Sequence, residues 1–561
     1  MTIPSNSSRP PSVLPSSVLQ CAKPLRLTLA QINSSVGDLI GNCAKIKSAW
    51  GRFEGQTDLL IFPELALIGY PAQDLLLNAG FLDEAEKALH DLASYGRNYS
   101  CAILLGTPHQ KDGELYNSAV ILDRGEILHH CHKQYLPNYG VFDEKRYFTA
   151  AEKQPIIGFR GTKLGVMICE DFWYAEPAQY LKSCGAEILI GIHASPFEKD
   201  KITQRQNIAQ QRFSENQLPI IYVNQVGGQD SLVFDGHSFA VNAAGQISHR
   251  LKGFDEDFLT IRSDELLQTA SHEAPLEEQP ESLAYNAACL GLRDYLKKSG
   301  QSGVLIGLSG GVDSALAAAI AVDAVGAYNV HAIMMPSRFT AQQSLDDAAL
   351  CAQNLGISYE IIPIETLMQS FMTLEPNTQG LAHENLQSRL RGLILMTRSN
   401  MTGAMVVTTG NKSEMAMGYA TLYGDMCGGY NPLKDIYKTE IYRICDWLNQ
   451  TQAAQSAGLG GIIPQSILDR PPSAELRDNQ TDQDSLPPYE ILDEILHHLI
   501  EKNLSISATI ARGYDGDMVK KIATLLKRAE YKRQQSAPGP KISRRDLKSG
   551  RRYPICNGYN S

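Results

Sequence analysis

Two series of short apolar segments, one in each half of the 561-residue chain, constrain its fold more than any other feature. Each segment is short, rich in branched apolar residues and bounded by turn residues, a pattern typical of buried strands. The first series is LRLTLAQI, DLLIFPE, CAILLGT, SAVILD, KLGVMICE, EILIGIHAS and IIYVNQV; the second is VLIGLSG, VHAIMMP, ISYEIIPI and AMVVTTG. Because helical segments alternate with these strands, we expect an α/β domain in each half.

The domain boundary is predicted in the acidic, proline-containing stretch HEAPLEEQPES at 272–282, near Pro275. The N-terminal residues are rich in Ser and Pro and contain few large apolar side chains. Such a segment cannot bury enough surface to offset its ordering entropy, so it predicts a flexible leader. We therefore expect a leader and two domains, at 1–24, 25–274 and 275–561.

Composition excludes several classes of protein. The formal net charge of -10 argues against a nucleic-acid binder, which needs clustered Lys and Arg. No apolar stretch approaches the length of about 18 residues that a membrane-spanning helix requires. The 11 cysteines are an odd number without repeated spacing, and no apolar secretory core is present near the N-terminus. We expect a reduced cytoplasmic protein whose partners are small molecules, with no nucleic acid and no membrane.

The segment GLSGGVDSALAAAI at 307–320 predicts a site for a phosphate group. It places a Ser/Gly-rich turn between an apolar strand and an alanine-rich helix. Gly310 and Gly311 would let the backbone approach an anion, and the helix N-terminus would supply partial positive charge. Ser309 and Ser314 could add hydroxyl donors. A glycine pair alone is more often a tight turn, but the full SGGVDS string between strand and helix favours phosphate binding.

This loop resembles the SGGxDS loop of the ATP pyrophosphatases, which split ATP into AMP and pyrophosphate while they adenylate a substrate. The segment TTGNKSEMAMGYATLYGDMCGGYNPLKDIYKTE at 408–440 resembles the central signature of NAD synthetases. Two later segments, at 469–490 and 530–557, resemble dinucleotide-site loops of that family. The resemblance implies a Rossmann-like parallel-sheet adenine nucleotide hydrolase domain that uses ATP, deamido-NAD and Mg²⁺.

The resemblance also assigns residues to each ligand. ATP would be bound by Ser309, Gly310, Gly311, Val312, Asp313, Ser314, Arg391 and Thr409. Deamido-NAD would be bound by Asn385, Arg391, Glu414, Asp425, Lys438 and Lys532. Asp313 and Glu414 would hold Mg²⁺, which prefers hard oxygen ligands. Lys438 could also stabilise charge that develops on the phosphate.

Two further patterns in the second half favour a ligand site. In ENLQSRLRGLILMT, helical spacing predicts a buried face and a polar, ligand-facing one. The buried face would carry Leu386, Leu390, Leu393 and Thr397, and the polar face Glu384, Gln387 and Arg391. The span 527–552 has ten Lys or Arg against two acids, a net of +8. An anionic dinucleotide would suit this span, although a solvated basic tail or a nucleic-acid contact remains an alternative.

Three reactive residues follow apolar runs in the first half: Glu64 in IFPELALIGYP, Lys133 in HHCHKQYLPNYGVFDEKRYF and Cys169 in KLGVMICEDFWY. Together they resemble the nitrilase superfamily, which implies an α-β-β-α sandwich that cleaves amides. This chemistry needs a thiolate nucleophile, a base and a group that stabilises an oxyanion. The resemblance makes Cys169 the nucleophile that forms a glutamyl thioester, Glu64 the general base and Lys133 the stabiliser, helped by the backbone amide of Glu170.

Other positions in the first half are assigned less directly. Glu144 matches an auxiliary catalytic glutamate of the superfamily. Residues assigned to seat glutamine are Tyr139, Ser195 and Lys201, with Arg205 as a second basic candidate. The HHCH run at 129–132 suggests a metal site, but consecutive strand residues alternate faces and cannot converge on zinc without distant partners. We interpret it as strand surface.

From Leu25 to Asn557 nearly the whole chain resembles the glutamine-dependent NAD synthetases, in which a glutaminase domain is fused to a synthetase domain. The resemblance implies a ligase that converts deamido-NAD, ATP, L-glutamine and water into NAD, AMP, pyrophosphate and L-glutamate, through a glutamyl thioester and an adenylated nicotinate. A homo-oligomer of at least two chains is expected. The alternatives are another glutamine amidotransferase of the ATP-pyrophosphatase type, a nitrilase-type amidase with a nucleotide-binding half, and a nucleotide-sensing module without chemistry.

Overall fold

The computed structural model describes residues 23–268, 278–451, 461–478 and 480–559. Most of the predicted leader and the predicted boundary at Pro275 lie outside these ranges. Among the helices of the described ranges, none is long and apolar enough to cross a membrane.

The described residues of the first half form two mixed six-stranded sheets and a hairpin. The strands are β1 (Arg26–Gln31), β2 (Leu59–Ile61), β3 (Ala102–Lys111), β4 (Glu114–Asp123), β5 (Glu126–His132), β6 (Ile157–Phe159), β7 (Thr162–Ile168), β8 (Ile188–His193), β9 (Ile220–Asn224), β10 (Val226–Gln229), β11 (Leu232–Asp235), β12 (Phe239–Val241), β13 (Ile247–Arg250) and β14 (Asp257–Arg262). The sheet orders are β14-β1-β2-β3-β4-β5 and β13-β12-β9-β8-β7-β6. Strands β1 to β3 and β7 to β9 are parallel, and the outer strands pair antiparallel.

Helices cover the outer face of each sheet, and a hydrophobic core fills the space between the sheets. The helices are α1 (Leu39–Phe53), α2 (Ala79–Tyr95), α3 (Ala175–Ser183), α4 (Lys201–Asn216) and α5 (Ser263–Leu266). The inner core joins Leu27 and Leu59 of one sheet to Ile168 and Ile190 of the other. The outer faces pack on α1 and α2, and on α3 and α4. The predicted α-β-β-α sandwich is therefore confirmed.

The second half is built on a parallel sheet of order β17-β16-β15-β18. Its strands are β15 (Val304–Gly307), β16 (Val330–Met334), β17 (Ser358–Ile361) and β18 (Met405–Val407). Its helices are α6 (Pro280–Lys298), α7 (Val312–Val325), α8 (Gln342–Leu355), α9 (Glu365–Leu374), α10 (Leu381–Thr402), α11 (Lys412–Met417), α12 (Lys438–Gln450), α13 (Gln465–Asp469), α14 (Tyr489–Ile500), α15 (Ile506–Ile510), α16 (Gly516–Arg528) and α17 (Glu530–Arg533). Ligands of such open parallel sheets bind at the carboxyl ends of the strands. The predicted Rossmann-like domain is confirmed.

The predicted faces of α10 are correct only in part. Leu386 and Leu390 are buried, but Leu393 is 57% exposed and Thr397 is also exposed. In the C-terminal part of α10 the sheet contacts Leu395, which lies on the other side of the helix and joins a core cluster with strand residues. The side that carries Leu393 therefore faces outward, so the predicted buried face was wrong beyond Leu390.

The two halves share a continuous core. Helix α6 packs on the β10–β11 hairpin of the first half, and Val226 and Val233 belong to the same hydrophobic cluster as α6 and β15. The buried Asp294 of α6 accepts hydrogen bonds from the Asn33 side chain at 2.6 Å and from the Gly228 backbone at 2.7 Å. The hairpin thus fixes the start of the second domain against the first.

Candidate functional sites

The predicted amide-cleaving residues meet at the ends of three strands. Glu64 follows β2, Lys133 follows β5 and Cys169 follows β7. The Lys133 ammonium donates to Oε1 of Glu64 at 2.7 Å and to Oε1 of Glu144 at 2.9 Å. The side chains of Lys133 and Glu64 are fully buried, and Glu144 is nearly so. The sequence prediction that these four residues share one site is consistent with this geometry.

Three further groups hold the carboxylates, and sequence reasoning missed them. Asn117 donates to Oε1 of Glu64 at 2.8 Å, and the Ala194 backbone amide donates to Oε2 at 2.9 Å. The Tyr70 hydroxyl donates to Glu144 at 2.8 Å. Tyr70 is the penultimate residue of the IFPELALIGYP string already assigned to the site, and Asn117 is a polar residue inside the apolar strand β4. These positions in the sequence could have identified Tyr70 and Asn117 as candidate site residues.

Cys169 occupies a strained backbone position with φ of 47°, where β7 turns into a 3₁₀ helix over Cys169–Trp173. Non-glycine residues in this region persist only where the surroundings enforce them, often at functional sites. Asp171 enforces the turn, since it accepts from the backbone amides of Gln134 and Tyr135 at 2.9 and 2.8 Å and of Ile168 at 3.2 Å. One carboxylate therefore ties the segment after Lys133 to the nucleophile turn.

The electrostatics of the pocket favour a protonated thiol in the absence of substrate. Burial and the nearby charge of Glu64 raise the pKa of Cys169 well above its usual range, while Lys133 opposes this shift. Burial also raises the pKa of Glu144, and Lys133 lowers it. Burial lowers the pKa of Lys133, but Glu144 and Glu64 outweigh it, so the lysine keeps its charge. A base must therefore remove the thiol proton during attack.

Two of the predicted glutamine-seating residues border the nucleophile turn. The Tyr139 hydroxyl donates to both carboxylate oxygens of Glu170 at 3.1 Å, and its side chain is 55% exposed. Ser195 is buried, and its backbone amide donates to Oδ1 of Asn224 at 2.9 Å. Tyr139 and Glu170 thus form a polar wall beside Cys169 that could receive the charged end of an amino acid.

The two basic candidates differ in availability. The Lys201 ammonium lies over the Trp173 ring, 4.4 Å from its centre, and burial lowers the pKa of this lysine. Arg205 is buried and forms an ion pair with Asp235. A buried guanidinium already paired with a carboxylate is a poorer partner for a substrate carboxylate. The geometry favours Lys201.

The HHCH run lies on β5, as predicted. His129 occupies a left-handed position with φ of 55° beside a register irregularity of the β4–β5 pair. His130 and His132 stack with His109 of β3, at ring-centre distances of 3.9 and 5.2 Å. Burial lowers the pKa of His130 and His132 to about 4. In the described part of the chain, no group of three or more His, Cys, Asp or Glu is arranged to hold a metal ion.

A second site is a cavity of about 570 Å³ at the carboxyl ends of β15, β16 and β18. Every residue that the sequence analysis assigned to ATP or deamido-NAD lines it: Ser309, Gly310, Gly311, Val312, Asp313, Ser314, Asn385, Arg391, Thr409, Glu414, Asp425, Lys438 and Lys532. Ser344, Arg470, Glu475 and Asp482 also line it and were not assigned individually. Arg470, Glu475 and Asp482 lie in the segment 469–490. The resemblance of this segment to dinucleotide-site loops could have identified them.

The SGGVDS turn is closed by its own hydroxyl groups. Ser314 accepts from the Ser309 backbone amide at 3.2 Å and donates to the Gly311 carbonyl at 2.9 Å. Gly310 has φ of 80°, and a Cβ atom there would lie 2.3 Å from the Ser344 carbonyl oxygen. Only glycine fits this position without displacement. The turn thus leads directly into the N-terminus of α7, which attracts anions.

Two carboxylates and one lysine stand beside this turn. Lys438 forms ion pairs with Asp313 and, at 3.4 Å, with Glu414. The Asn411 side chain donates to Oδ1 of Asp313 at 2.9 Å and accepts from the Glu414 backbone amide, which caps α11. Burial and the charge of Asp313 raise the pKa of Glu414 to about 8. The arrangement gathers two carboxyl groups around one lysine, and a cation bound there would favour their ionised forms.

The other end of the cavity combines buried charges of both signs. Burial lowers the pKa of Arg391 to about 10, and its Nε donates to a backbone carbonyl of the sheet edge at 2.9 Å. Burial raises the pKa of Asp425 to about 6, and Ser388 donates to it at 3.2 Å. Lys532 donates to two backbone carbonyls of the loop after α11 at 2.7 and 2.8 Å. Asn385 accepts from a threonine hydroxyl of the same loop at 2.9 Å.

The basic span 527–552 contributes less charge to the cavity than its composition predicts. Of its ten Lys and Arg residues, all described, Lys532 alone lines the cavity. Arg533 and Arg551 both pair with the buried Glu530. Lys541 pairs with Glu198 of the first half at 2.6 Å. Much of the predicted +8 therefore holds the C-terminal segment in place, because buried acids and backbone carbonyls bind these side chains.

Comparisons with known proteins agree with both halves. The carbon-nitrogen hydrolase family matches residues 26–270, and the NAD synthase family matches residues 284–536. The chain is 45% identical over 547 residues to a glutamine-dependent NAD(+) synthetase of Rhodobacter capsulatus, which covers 95% of this chain and 98% of the relative. It is 43% identical to the protein of that name from Xanthomonas campestris, over 96% of this chain and 98% of the relative.

Solved structures give the same result. The glutamine-dependent NAD+ synthetase from Acinetobacter baumannii, in complex with ADP, has a TM-score of 0.76 at 39% identity and covers 96% of this chain and 99% of its own. A structure from Cytophaga hutchinsonii, with a TM-score of 0.81 at 21% identity, covers 96% and 98% and shows the fold. These matches confirm the resemblance predicted from the motifs. The chain belongs to the glutamine-dependent NAD(+) synthetases.

Proposed function

We propose that the chain takes ammonia from L-glutamine at Cys169 and uses it to amidate deamido-NAD in the SGGVDS cavity, with ATP split into AMP and pyrophosphate. One observation carries this proposal. The same chain holds a buried Glu-Lys-Cys group and a nucleotide-sized cavity lined by every residue assigned to ATP and deamido-NAD. A shared hydrophobic core joins the two domains, and transfer of the released ammonia from one site to the other is part of the proposal.

In the amide-cleaving half, Glu64 accepts the proton of Cys169 as the sulfur attacks the side-chain amide of glutamine. Lys133 and the Glu170 backbone amide stabilise the oxyanion. Glu64 then returns the proton to the leaving nitrogen, the C–N bond breaks, and ammonia and a glutamyl thioester result. Water, deprotonated by Glu64, hydrolyses the thioester to glutamate and restores the thiol. Glu144 keeps Lys133 oriented, and Tyr139, Ser195 and Lys201 seat the substrate.

Asp313 and Glu414 form the proposed magnesium site. Both offer hard oxygen ligands, and the pair already attracts the Lys438 ammonium, so the donor set suits a divalent cation. When bound, Mg²⁺ would neutralise the triphosphate. Asp313 and Glu414 would hold the ion, and Asp482 also lines the cavity near them.

In the synthetase half, the SGGVDS turn and the α7 N-terminus bind the phosphates of ATP, with Thr409 and Arg391 beside them. The nicotinate carboxylate of deamido-NAD attacks the α-phosphorus, and pyrophosphate leaves. Lys438 stabilises the charge on the transferring group. Ammonia then attacks the adenylated carbonyl, AMP leaves, and a proton is released to solvent. Asp425, Asn385 and Lys532 hold the dinucleotide.

The assignments of domains, assembly and location belong to the same proposal. We propose domains at 25–274 and 275–561 after a flexible leader over 1–24. Exposed apolar side chains on α9 and α10 support a homo-oligomer: Leu367, Phe371, Leu374, Leu381 and Leu393. Analytical ultracentrifugation of the chain and of Leu393→Glu tests this assembly. The ten described cysteines are free thiols, which supports a cytoplasmic location.

The decisive experiment separates the two chemistries with Cys169→Ala. Mass spectrometry would follow NAD and AMP from deamido-NAD, ATP, magnesium and either glutamine or ammonium. Glutamine-dependent synthesis should vanish, because no thioester forms, while ammonium-dependent synthesis should persist. Loss of both activities in a variant with a normal thermal transition, or retention of glutamine-dependent synthesis, would refute two separate sites.

The acceptor distinguishes the remaining alternatives. Another amidotransferase of the ATP-pyrophosphatase type would show the same split with xanthosine monophosphate or aspartate in place of deamido-NAD. An amidase with a nucleotide-binding half would make no NAD from either nitrogen source. A sensing module would release neither glutamate nor AMP. We expect turnover with deamido-NAD alone among these three acceptors.

A further inference from the structure

A chain of charged side chains runs from the glutamine pocket to the segment that enters the second domain, and all of them are buried except Glu278, whose side chain is 31% exposed. Nη1 of Arg205 donates to the Ser195 carbonyl at 3.5 Å, and Nη2 is paired with Asp235. Asp235 also contacts Nδ1 of His237 at 2.8 Å. Nε2 of His237 contacts Glu278 at 3.2 Å. The proposed catalytic steps use neither His237 nor Glu278.

Burial makes this chain interdependent. Arg205 and Asp235 are at most 2% exposed, and His237 is 6% exposed. Buried charges persist only when each is paired. Burial lowers the pKa of His237, but its bonds to Asp235 and Glu278 outweigh this and raise the pKa above its usual value. The imidazole therefore bridges two carboxyl groups, one on each side, and both favour its protonated form.

The backbone is shaped around the His237 ring. His237 has φ of 49°, a left-handed position that is uncommon for residues other than glycine, although histidine adopts it more often than most. Opposite the ring, a Cβ atom on Gly253 would lie 2.2 Å from Cε1 and Nε2 of His237. Both features keep the ring directed at Glu278. Strain of this kind points to a role beyond packing.

The two ends of the chain belong to different domains. Arg205 lies four residues after Lys201, so the two share a face of α4. Glu278 lies two residues before α6, and α6 packs on α7, whose N-terminus forms the phosphate turn. A shift of α6 would therefore reach Arg205 through Glu278, His237 and Asp235. Such a contiguous chain of contacts can carry energetic coupling between the two sites.

We propose that His237 is a positioning residue that links the entry of the second domain, at Glu278, to Arg205 and thereby to the seat of glutamine. This inference rests on the proposed function of the Cys169 site. When Glu278 is in place, the His237 ring holds Asp235, Asp235 holds Arg205, and α4 presents Lys201 at the pocket. When the bridge is broken, the pocket binds glutamine less well while the synthetase cavity is unaffected.

Two variants break the bridge without removing Arg205 or Asp235. Glu278→Gln removes the charge that faces the imidazolium. Gly253→Ala displaces the ring and leaves the histidine in the chain. A third, His237→Asn, tolerates the left-handed backbone and can still donate to Asp235, but no longer reaches Glu278. Glu281→Gln is the matched control, because Glu281 lies at the same helix start and pairs with the exposed Arg443 instead.

Steady-state kinetics of the full chain test the proposal, with glutamate release measured in the presence and absence of ATP and deamido-NAD. The KM for glutamine should rise on the order of tenfold in Glu278→Gln and Gly253→Ala, because the pocket is misplaced rather than emptied. His237→Asn should match Glu278→Gln. The kcat with ammonium and the KM for deamido-NAD should stay within about twofold of the parent chain, and Glu281→Gln should be unchanged.

Two results would overturn the proposal. One is a KM for glutamine in Glu278→Gln that stays near the parent value. Because this substitution changes few atoms, the variant should fold normally and the test does not depend on its stability. The other is a parallel loss of glutamine and ammonium activity, which indicates a structural role alone. Failure of the proposed function looks different, since the parent chain would then release glutamate but make no NAD with either nitrogen source. Even then, glutamate release would still allow the KM for glutamine to be compared between the variants and the parent chain.

Discussion

Replacement of Lys133 by methionine should separate the structural role of this buried charge from its chemical one. The ammonium lies 2.7 Å from Glu64 and 2.9 Å from Glu144, and all three groups are at most 5% exposed. Methionine keeps most of the side-chain volume and removes the charge. Two carboxylates are then left facing each other without a counterion.

The expected loss of stability follows from that geometry. Removing one partner of a buried ion pair costs roughly 3–5 kcal/mol, because an uncompensated charge remains. For a domain of this size each kcal/mol lowers the Tm by about 2–4 °C, so the expected decrease is about 6–20 °C. Exposed Lys145, twelve residues further on, provides the control variant Lys145→Met, which should leave the Tm unchanged.

The loss should depend on pH in a defined direction. Burial already raises the pKa of Glu144 to about 7, and Lys133 opposes that increase, so without the lysine the folded-state pKa is higher still. The folded variant then binds a proton more tightly than the unfolded chain, whose glutamates titrate near about 4.3. Its stability therefore decreases as the pH rises from about 5 through 7, and the deficit is larger at pH 8.

Differential scanning calorimetry at pH 5.5 and pH 8 would measure the transition, and parallel assays would follow glutamine-dependent and ammonium-dependent NAD formation. Glutamine-dependent activity should decrease by at least about 10²-fold, because the oxyanion loses its cation. Ammonium-dependent activity should persist wherever the protein is folded. A Tm within about 2 °C of the parent at pH 8, or a deficit that shrinks as the pH rises, would refute the interpretation of Lys133 as the sole counterion of two buried acids.

Three further predictions concern the nucleotide cavity. Asp313→Asn and Glu414→Gln should each reduce AMP release on the order of 10²-fold with either nitrogen source, while glutamate release persists. AMP release would be measured by chromatography at the usual magnesium concentration. If both variants released AMP at the parent rate, the metal assignment would be wrong. Gly310→Ala should destabilise the turn by about 1–3 kcal/mol and weaken ATP binding in calorimetry, because φ is 80° and Ser344 blocks the added methyl group. Lys532→Met should raise the KM for deamido-NAD about tenfold and leave the KM for ATP unchanged. Equal changes in the two KM values would show that Lys532 does not belong to the dinucleotide site.

The fold class was predictable because central strands such as β2, β8 and β15 are short continuous apolar runs that the structure buries. The residues of each site were predictable only where a local string carried them. Asp313 and Ser314 lie inside SGGVDS, whereas Asn117 reaches Glu64 from a strand 53 residues away in sequence. No rule of sequence spacing predicts that Asn117 contacts Glu64. They meet because β2, β3 and β4 are neighbours in one sheet.

Two errors of the sequence analysis have a common physical origin. Leu393 was expected to be buried because helical periodicity continues along α10, but the sheet contacts the other side of that helix beyond Leu390. The span 527–552 was expected to present its charge to a ligand, but Glu530 binds Arg533 and Arg551 within the protein. Periodicity and net charge describe which apolar or charged side chains a segment can place on one of its faces. Which surface it meets is set by tertiary packing.

The two sites use one electrostatic device with different consequences. Each places a lysine between two acids, Lys133 between Glu64 and Glu144, and Lys438 between Asp313 and Glu414. In the first site the lysine stays between the two acids and holds Glu64, the proposed base, in position. In the second, under the proposed assignment, Asp313 and Glu414 would hold magnesium, and Lys438 would then be free to act on phosphate. This difference agrees with burial, because Asp313 and Glu414 remain 17% and 18% exposed beside an open cavity, whereas Glu64 is fully enclosed. The accessibility of the acids, rather than the pairing itself, therefore determines which lysine can be released to a substrate.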